Sequence, residues 1–208
     1  MLFVSLTSFA QLPEEGVLTY EVDTVRRLNP EAGKMRLESL VITYKDGGKL
    51  CKIEAGYPEY LHSDASQTIL CLNNETFMVF RLPEDSLTIL QLPAADPTNT
   101  DYESIRTQET KIIDALKCQK WVLTHKKMDW TFDAWVLEQP DIQIPLGRYF
   151  TQFLNVHGLP VELDMEMNGW VLHLKLEKIE TLLKDSLISL PKGKTTSLDT
   201  FLQEWQRH

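Results

Sequence analysis

From Gly16 onward the chain alternates short runs of β-branched, aromatic and leucine residues with turn-forming residues, and most segments read as strands. "GVLTYEVDTV" is the first of these runs. "LESLVITY" and "KLCKIEA" flank Asp46-Gly47-Gly48, a hairpin signal. "QTILCL" and "TFMVFRL" flank Asn73-Asn74, whose side chains tolerate left-handed backbone. "SLTILQL" follows Pro83-Glu84-Asp85-Ser86, where proline presets the turn. Strands joined by such short turns predict a meander, in which sequence neighbours pair antiparallel.

"PAADPTNTDYESIRTQ" interrupts the pattern: Pro93 and Pro97 stop a strand, and Thr100 with Glu103 has the spacing of a capping box, predicting a short helix. Strands resume with "TKIIDAL", "CQKWVLTH" and "WTFDAWVLE". In "PLGRYFTQFLN" the residues Tyr149, Phe150, Phe153 and Leu154 share one helical face. The tail places Leu198, Phe201, Leu202 and Trp205 at i, i+3, i+4 and i+7, an amphipathic helix opened by Ser197. The predicted fold class is therefore mostly β (β-rich α+β). A sheet of roughly ten strands or more has to curl, split or close. The simplest architecture is a long curved antiparallel sheet, a half-barrel, with a few short helices against its concave face.

The segment "VELDMEMNGWVLHLKLE", residues 161–177, carries the one conspicuous charge pattern, with Glu162, Asp164 and Glu166 at every second position. Asn168-Gly169 is a strong two-residue hairpin turn. That turn pairs Met167 with Trp170, Met165 with Leu172, Leu163 with Leu174 and Val161 with Leu176, an entirely apolar face. On the other face Glu166 meets Val171, Asp164 meets His173 and Glu162 meets Lys175. A glycosidase needs two carboxylates across a cleft with one desolvated, and calcium needs further oxygens converging from loops. Three acids in a row, two with cationic or potentially cationic cross-strand partners, read instead as the wet face of a strand.

Composition adds limits. A chain of 208 residues with 43% hydrophobic and 25% charged residues suits one fairly large domain, here residues 11–208. A net charge of -9, with no run of more than two basic residues, argues against nucleic acid and against direct electrostatic attraction to an anionic membrane surface. No stretch is long and apolar enough to be a transmembrane helix. Residues 1–10, "MLFVSLTSFA", are uncharged and mostly apolar, with Ser8 and Ala10 where a signal peptidase reads small residues. They read as a truncated signal peptide without its basic region, or else as a buried N-terminal strand. Cys51, Cys71 and Cys118 allow one disulfide at most and lack zinc-ligand spacing. As buried thiols they would behave as small hydrophobes.

No nucleophile elbow and no phosphate-cradling glycine loop is present, so no catalytic residue, metal ligand or cofactor is assigned. His157 in "NVHGLP" reads as a turn histidine, a ligand or base role being the alternative. Trp121, Trp130, Trp135, Phe150, Phe153 and Trp170 form an aromatic set that is ordinarily core, but on a concave sheet such residues can line a cavity. The candidate apolar lining is Trp135, Phe150, Phe153, Leu163, Met165, Met167, Trp170 and Leu172.

"ALKCQKWVLTHKK", "WTFDAWVLEQPDIQIPLG" and "FLNVHGLPVELDMEMNG", with the later "DSLISLPKGKTTSL", resemble the closing half of the GLPGLI-type and related LolA-like secreted bacterial families. The resemblance covers roughly residues 110–195 and includes Gly158-Leu159-Pro160. It implies a curved, incomplete β-barrel in the bacterial periplasm or outer envelope, in a group whose relatives of that shape carry lipoprotein acyl chains. It carries over no catalytic residue.

Three functions follow as expectations. The first is an exported, non-enzymatic periplasmic protein that binds a lipid, an acyl chain or another apolar ligand in the half-barrel. The second is an interaction module with a protein partner in an envelope complex. The third is a hydrolase whose site has no recognisable motif.

Overall fold

A computed structural model describes residues 12–31, 37–56, 68–73, 75–81, 87–94, 96, 101–139, 144, 155–167, 169–181 and 188–205. The strands are β1 (Gly16–Arg27), β2 (Ser39–Lys45), β3 (Leu50–Gly56), β4 (Thr68–Leu72), β5 (Glu75–Arg81) and β6 (Leu87–Leu92). They continue with β7 (Tyr102–Ile113), β8 (Leu116–His125), β9 (Thr131–Leu137), β10 (Leu159–Met167), β11 (Trp170–Thr181) and β12 (Lys194–Ser197). Helix α1 (Leu198–Trp205) ends the described chain.

The twelve strands among the described residues form one curved, open sheet in the order β12-β6-β5-β4-β3-β2-β1-β11-β10-β9-β8-β7. It consists of two meanders, β1 to β6 and β7 to β11, sealed where β1 pairs antiparallel with β11. The fold class read from the sequence is the one observed: mostly β, a long curved antiparallel sheet and very little helix. Between β2 and β3, Asp46, Gly47 and Gly48 all take positive φ (51, 62 and 95°) and close the expected turn. Gly169, at φ 80°, ends the turn from β10 to β11.

Three elements differ from expectation. The region around Glu103 is strand β7 and not a capped helix. Its pairing with β8 is set by a tight turn at Asp114 and Ala115, both at positive φ (48 and 65°). The segment after Gly193 forms β12, which runs parallel to β6 in an otherwise antiparallel sheet. Helix α1 has the expected amphipathic pattern, but it lies beside β12 and β6 at one end of the sheet, where Phe201 meets Phe80 edge-on at 5.7 Å. It therefore does not cover the β10–β11 hairpin. The helical face expected from Tyr149 to Leu154 and the reading of residues 1–10 lie outside the described residues.

The principal core runs across the strands: Leu18, Tyr20, Ile42, Tyr44 and Ile53 on the first meander, and Leu123, Phe132, Leu163, Met165, Leu172 and Leu174 on the second. Tyr20 and Tyr44 are fully inside it and satisfy their hydroxyls with backbone carbonyls, Tyr20 donating to Pro160 at 2.7 Å and Tyr44 to Pro13 at 2.9 Å. A second cluster, Leu70, Phe77, Val79 and Ile89, faces the opposite way at the β4–β6 end. A bulge at residues 107–109 of β7 is held by the buried Gln119 amide, which donates to the carbonyls of Thr107 (2.9 Å) and Glu109 (2.7 Å).

Candidate apolar-ligand site

The β10–β11 hairpin has the register its alternation dictates: Leu163 opposite Leu174, Met165 opposite Leu172, Met167 opposite Trp170. Along this apolar face burial changes steadily. Leu163, Met165 and Leu172 are at most 2% exposed and are plain core. Met167 and Trp170, at the tip, are only half-buried and pack against the edge of that core. The tip is tied to the end of β1, because the amides of Leu28 and Asn29 both donate to the Gly169 carbonyl (2.8 and 3.1 Å) and Arg27 stacks over the Trp170 ring at 5.5 Å.

The same face of the sheet carries an aromatic group at the end of β7, β8 and β9 nearest the hairpin tip. Tyr102 meets His125 at 4.8 Å, His125 meets Trp130 at 5.4 Å, and Tyr102 leans on Phe132 at 6.2 Å. Tyr102 is 7% exposed, and burial raises its hydroxyl to about 12, with smaller contributions from the Glu166 and Asp101 charges. Trp130 is half-buried at the edge of the core, as Met167 and Trp170 are. By sequence Trp130 belongs to the aromatic set, whereas Tyr102 and His125 do not stand out. Their involvement comes from strand ends brought together by pairing, which no local pattern announces.

Trp135 is not part of this lining. It pairs with Glu162 on one side and Lys120 on the other, on the face opposite Ala134 and Leu163. The reason is parity: one residue along a strand turns the side chain to the other face. There its ring lies under two ammonium groups, Lys111 at 5.4 Å and Lys120 at 5.9 Å. Phe150 and Phe153 lie outside the described residues. Of the expected lining, the structure brings together Leu163, Met165, Met167, Trp170 and Leu172.

The three carboxylates are strand-face residues. Glu162 pairs with Lys111 (3.0 Å), Asp164 accepts from His173 Nδ1 (2.7 Å), and Glu166 accepts from the Gly169 amide (2.7 Å). Glu162 stands opposite Lys175 in register, yet its ion pair goes to Lys111, which reaches it across Trp135. Among the described residues no group of three or more His, Cys, Asp or Glu is placed to hold a metal ion. His157 packs edge-on against Trp121 at 6.3 Å. Beside them Arg106 and Glu138 form a two-pronged ion pair (2.6 and 2.8 Å), which holds the Glu138 carboxyl below its usual range.

No family model matches the chain, and no curated protein matches it significantly. The fold has counterparts among solved structures. One structure of PNGF-II, in space group C2, matches with a TM-score of 0.57 at 13% identity, over 92% of this chain and 32% of that one. Another, in space group P21, matches with a TM-score of 0.55 at 15% identity, over 93% of this chain and 34% of that one. The chain thus spans about a third of the PNGF-II chains it matches. Likeness at this identity concerns the fold alone. No helix among the described residues is long and apolar enough to cross a membrane.

Proposed function

We propose that this is an exported, non-enzymatic bacterial envelope protein that binds an acyl chain or similar apolar ligand against the concave face of its half-barrel. One observation carries the reading. The apolar column of the β10–β11 hairpin runs from fully buried Leu172 and Met165 to half-buried Met167 and Trp170, and α1 packs beside β12 and β6 and not on this column. Methionine is unbranched and soft, and tryptophan offers a large flat area, a pairing that adapts to a flexible chain. The periplasmic location rests on the resemblance to secreted families and on the signal-like residues 1–10. The acids on the opposite face are engaged with Lys111, His173 and a backbone amide, which favours a structural role for them.

Native mass spectrometry of protein purified without detergent tests the reading. Adducts of lipid mass that disappear on organic extraction are expected. A spectrum of bare protein, unchanged after incubation with long-chain fatty acids, would count against it.

A second reading is favoured by β7. It ends the sheet, is twelve residues long, and exposes Ile105 (52%) and Ile112 (62%). A long strand edge with exposed apolar residues suits strand addition by a protein partner, the interaction-module alternative. A stable co-purifying protein in place of lipid would select this reading.

A further inference from the structure

We infer that Cys51 and Cys71 form a disulfide bond when the protein folds in an oxidising milieu, and that Cys118 stays a thiol. The three cysteines admit three pairings by sequence, and the sheet distinguishes them. Cys51 on β3 and Cys71 on β4 are directly opposite one another in the antiparallel register. Directly opposed antiparallel residues stand about 4.5 or 5.5 Å apart at Cα, according to hydrogen-bonding position, and both distances fall in the range a disulfide spans. Both side chains are fully buried and point to the same face, beside Tyr44, which is opposite Cys51 in turn, and Thr76, whose hydroxyl contacts the Cys71 sulfur at 4.0 Å. Cys118 is on β8, with β2, β1, β11, β10 and β9 between it and β3 in the sheet. Neither of the other two cysteines is its neighbour.

The chemistry is thiol–disulfide exchange. The oxidant is a protein or glutathione disulfide of the export compartment. One protein thiolate attacks an oxidant sulfur, forming a mixed disulfide and releasing one oxidant thiol. The second thiolate then attacks the bound protein sulfur and displaces the other oxidant thiol. Two S–H bonds are lost, one S–S bond forms, and two electrons and two protons leave with the reduced oxidant. Burial pushes the Cys51 thiol well above its usual range in the folded protein, so exchange belongs to the folding stage, before β3 and β4 are sealed in the core.

The bond itself depends on the register. Only the supply of oxidant rests on the export reading, and two measurements separate these. In the first, the full chain is unfolded, reduced, and refolded in a glutathione redox buffer, and its thiols are counted by maleimide mass shift after denaturation. One labelled thiol per chain is expected, mapped to Cys118, with Cys118→Ala giving none. Reduction should lower the urea midpoint of the unsubstituted protein and leave that of Cys71→Ala unchanged. Three labelled thiols, or a disulfide that includes Cys118, would overturn the pairing. In the second, thiols of protein taken from its native compartment are trapped with acid and counted the same way. One thiol supports both pairing and export. Three thiols there, with one after refolding in glutathione, would uphold the pairing and overturn the export reading.

Discussion

Tyr20 on β1 donates its hydroxyl hydrogen to the Pro160 carbonyl on β10, 2.7 Å away, although β11 lies between the two strands. A single phenol therefore straps three strands at the seam where the two meanders meet. Tyr20 is 1% exposed, and burial raises its hydroxyl far above the ordinary tyrosine value. Tyr20→Phe removes this buried hydrogen bond and is expected to cost about 0.5–1.5 kcal/mol in urea unfolding at neutral pH.

The same burial sets an alkaline limit. Tyr20, Tyr44 and Tyr102 all have raised folded-state values, the latter two to about 12. The unfolded chain gives up these protons near pH 10 and the folded protein holds them, so stability is intact below about pH 10 and falls as the pH rises from there. Thermal melts from pH 8 to 12 should show a flat midpoint followed by a decline, shallower for Tyr20→Phe. A midpoint independent of pH to 12 would contradict the burial of these phenols.

The Arg106–Glu138 pair has the opposite sign. Its geometry lowers the Glu138 value, so its contribution is present above the ordinary carboxylate range and is lost as the pH falls below about 4. The side chains are 48% and 35% exposed, so solvent screening keeps the pair's contribution small. Glu138→Gln should lower the unfolding midpoint only slightly at pH 7, and the difference from the unsubstituted protein should vanish in acid or in high salt.

Gly158 sits at φ +118°, and an added Cβ would lie 2.5 Å from the Leu137 carbonyl oxygen. That conformation and that close approach both exclude side chains, at the entry to β10. Gly158→Ala is expected to destabilise by about 1–3 kcal/mol. A neutral outcome in denaturant unfolding would mean that β9 and β10 are spaced differently here.

How far these features were legible varies with how local their cause is. The β10–β11 register was readable because a two-residue turn and strict alternation leave one alignment that keeps Leu163, Met165 and Met167 on one face. Strand β7 was misread at its start, since the capping spacing of Thr100 and Glu103 is a local signal and pairing with β8 is a long-range one that outweighed it. The turn at the other end of β7 uses Asp114 and Ala115, with no glycine to mark it. Helix α1 was recognisable from its spacing, but an amphipathic pattern does not name the surface it docks on. Trp135 was grouped with the apolar lining by residue type alone, and its neighbours Glu162 and Lys120 put it on the other face.

An acyl chain seated on the hairpin tip around Met167 and Trp170 would be detected by titration with a brominated fatty acid, read by tryptophan fluorescence. Bromine quenches only indoles it approaches closely. Acyl-chain uptake at the tip predicts saturable quenching that falls in Trp170→Phe and is retained in Trp135→Phe, whose indole lies on the opposite face. Trp170→Ala should weaken uptake about tenfold or more, and should cost less stability than the roughly 3–5 kcal/mol typical of a fully buried aromatic. Absence of saturable quenching, or quenching that survives Trp170→Phe and disappears in Trp135→Phe, would contradict it.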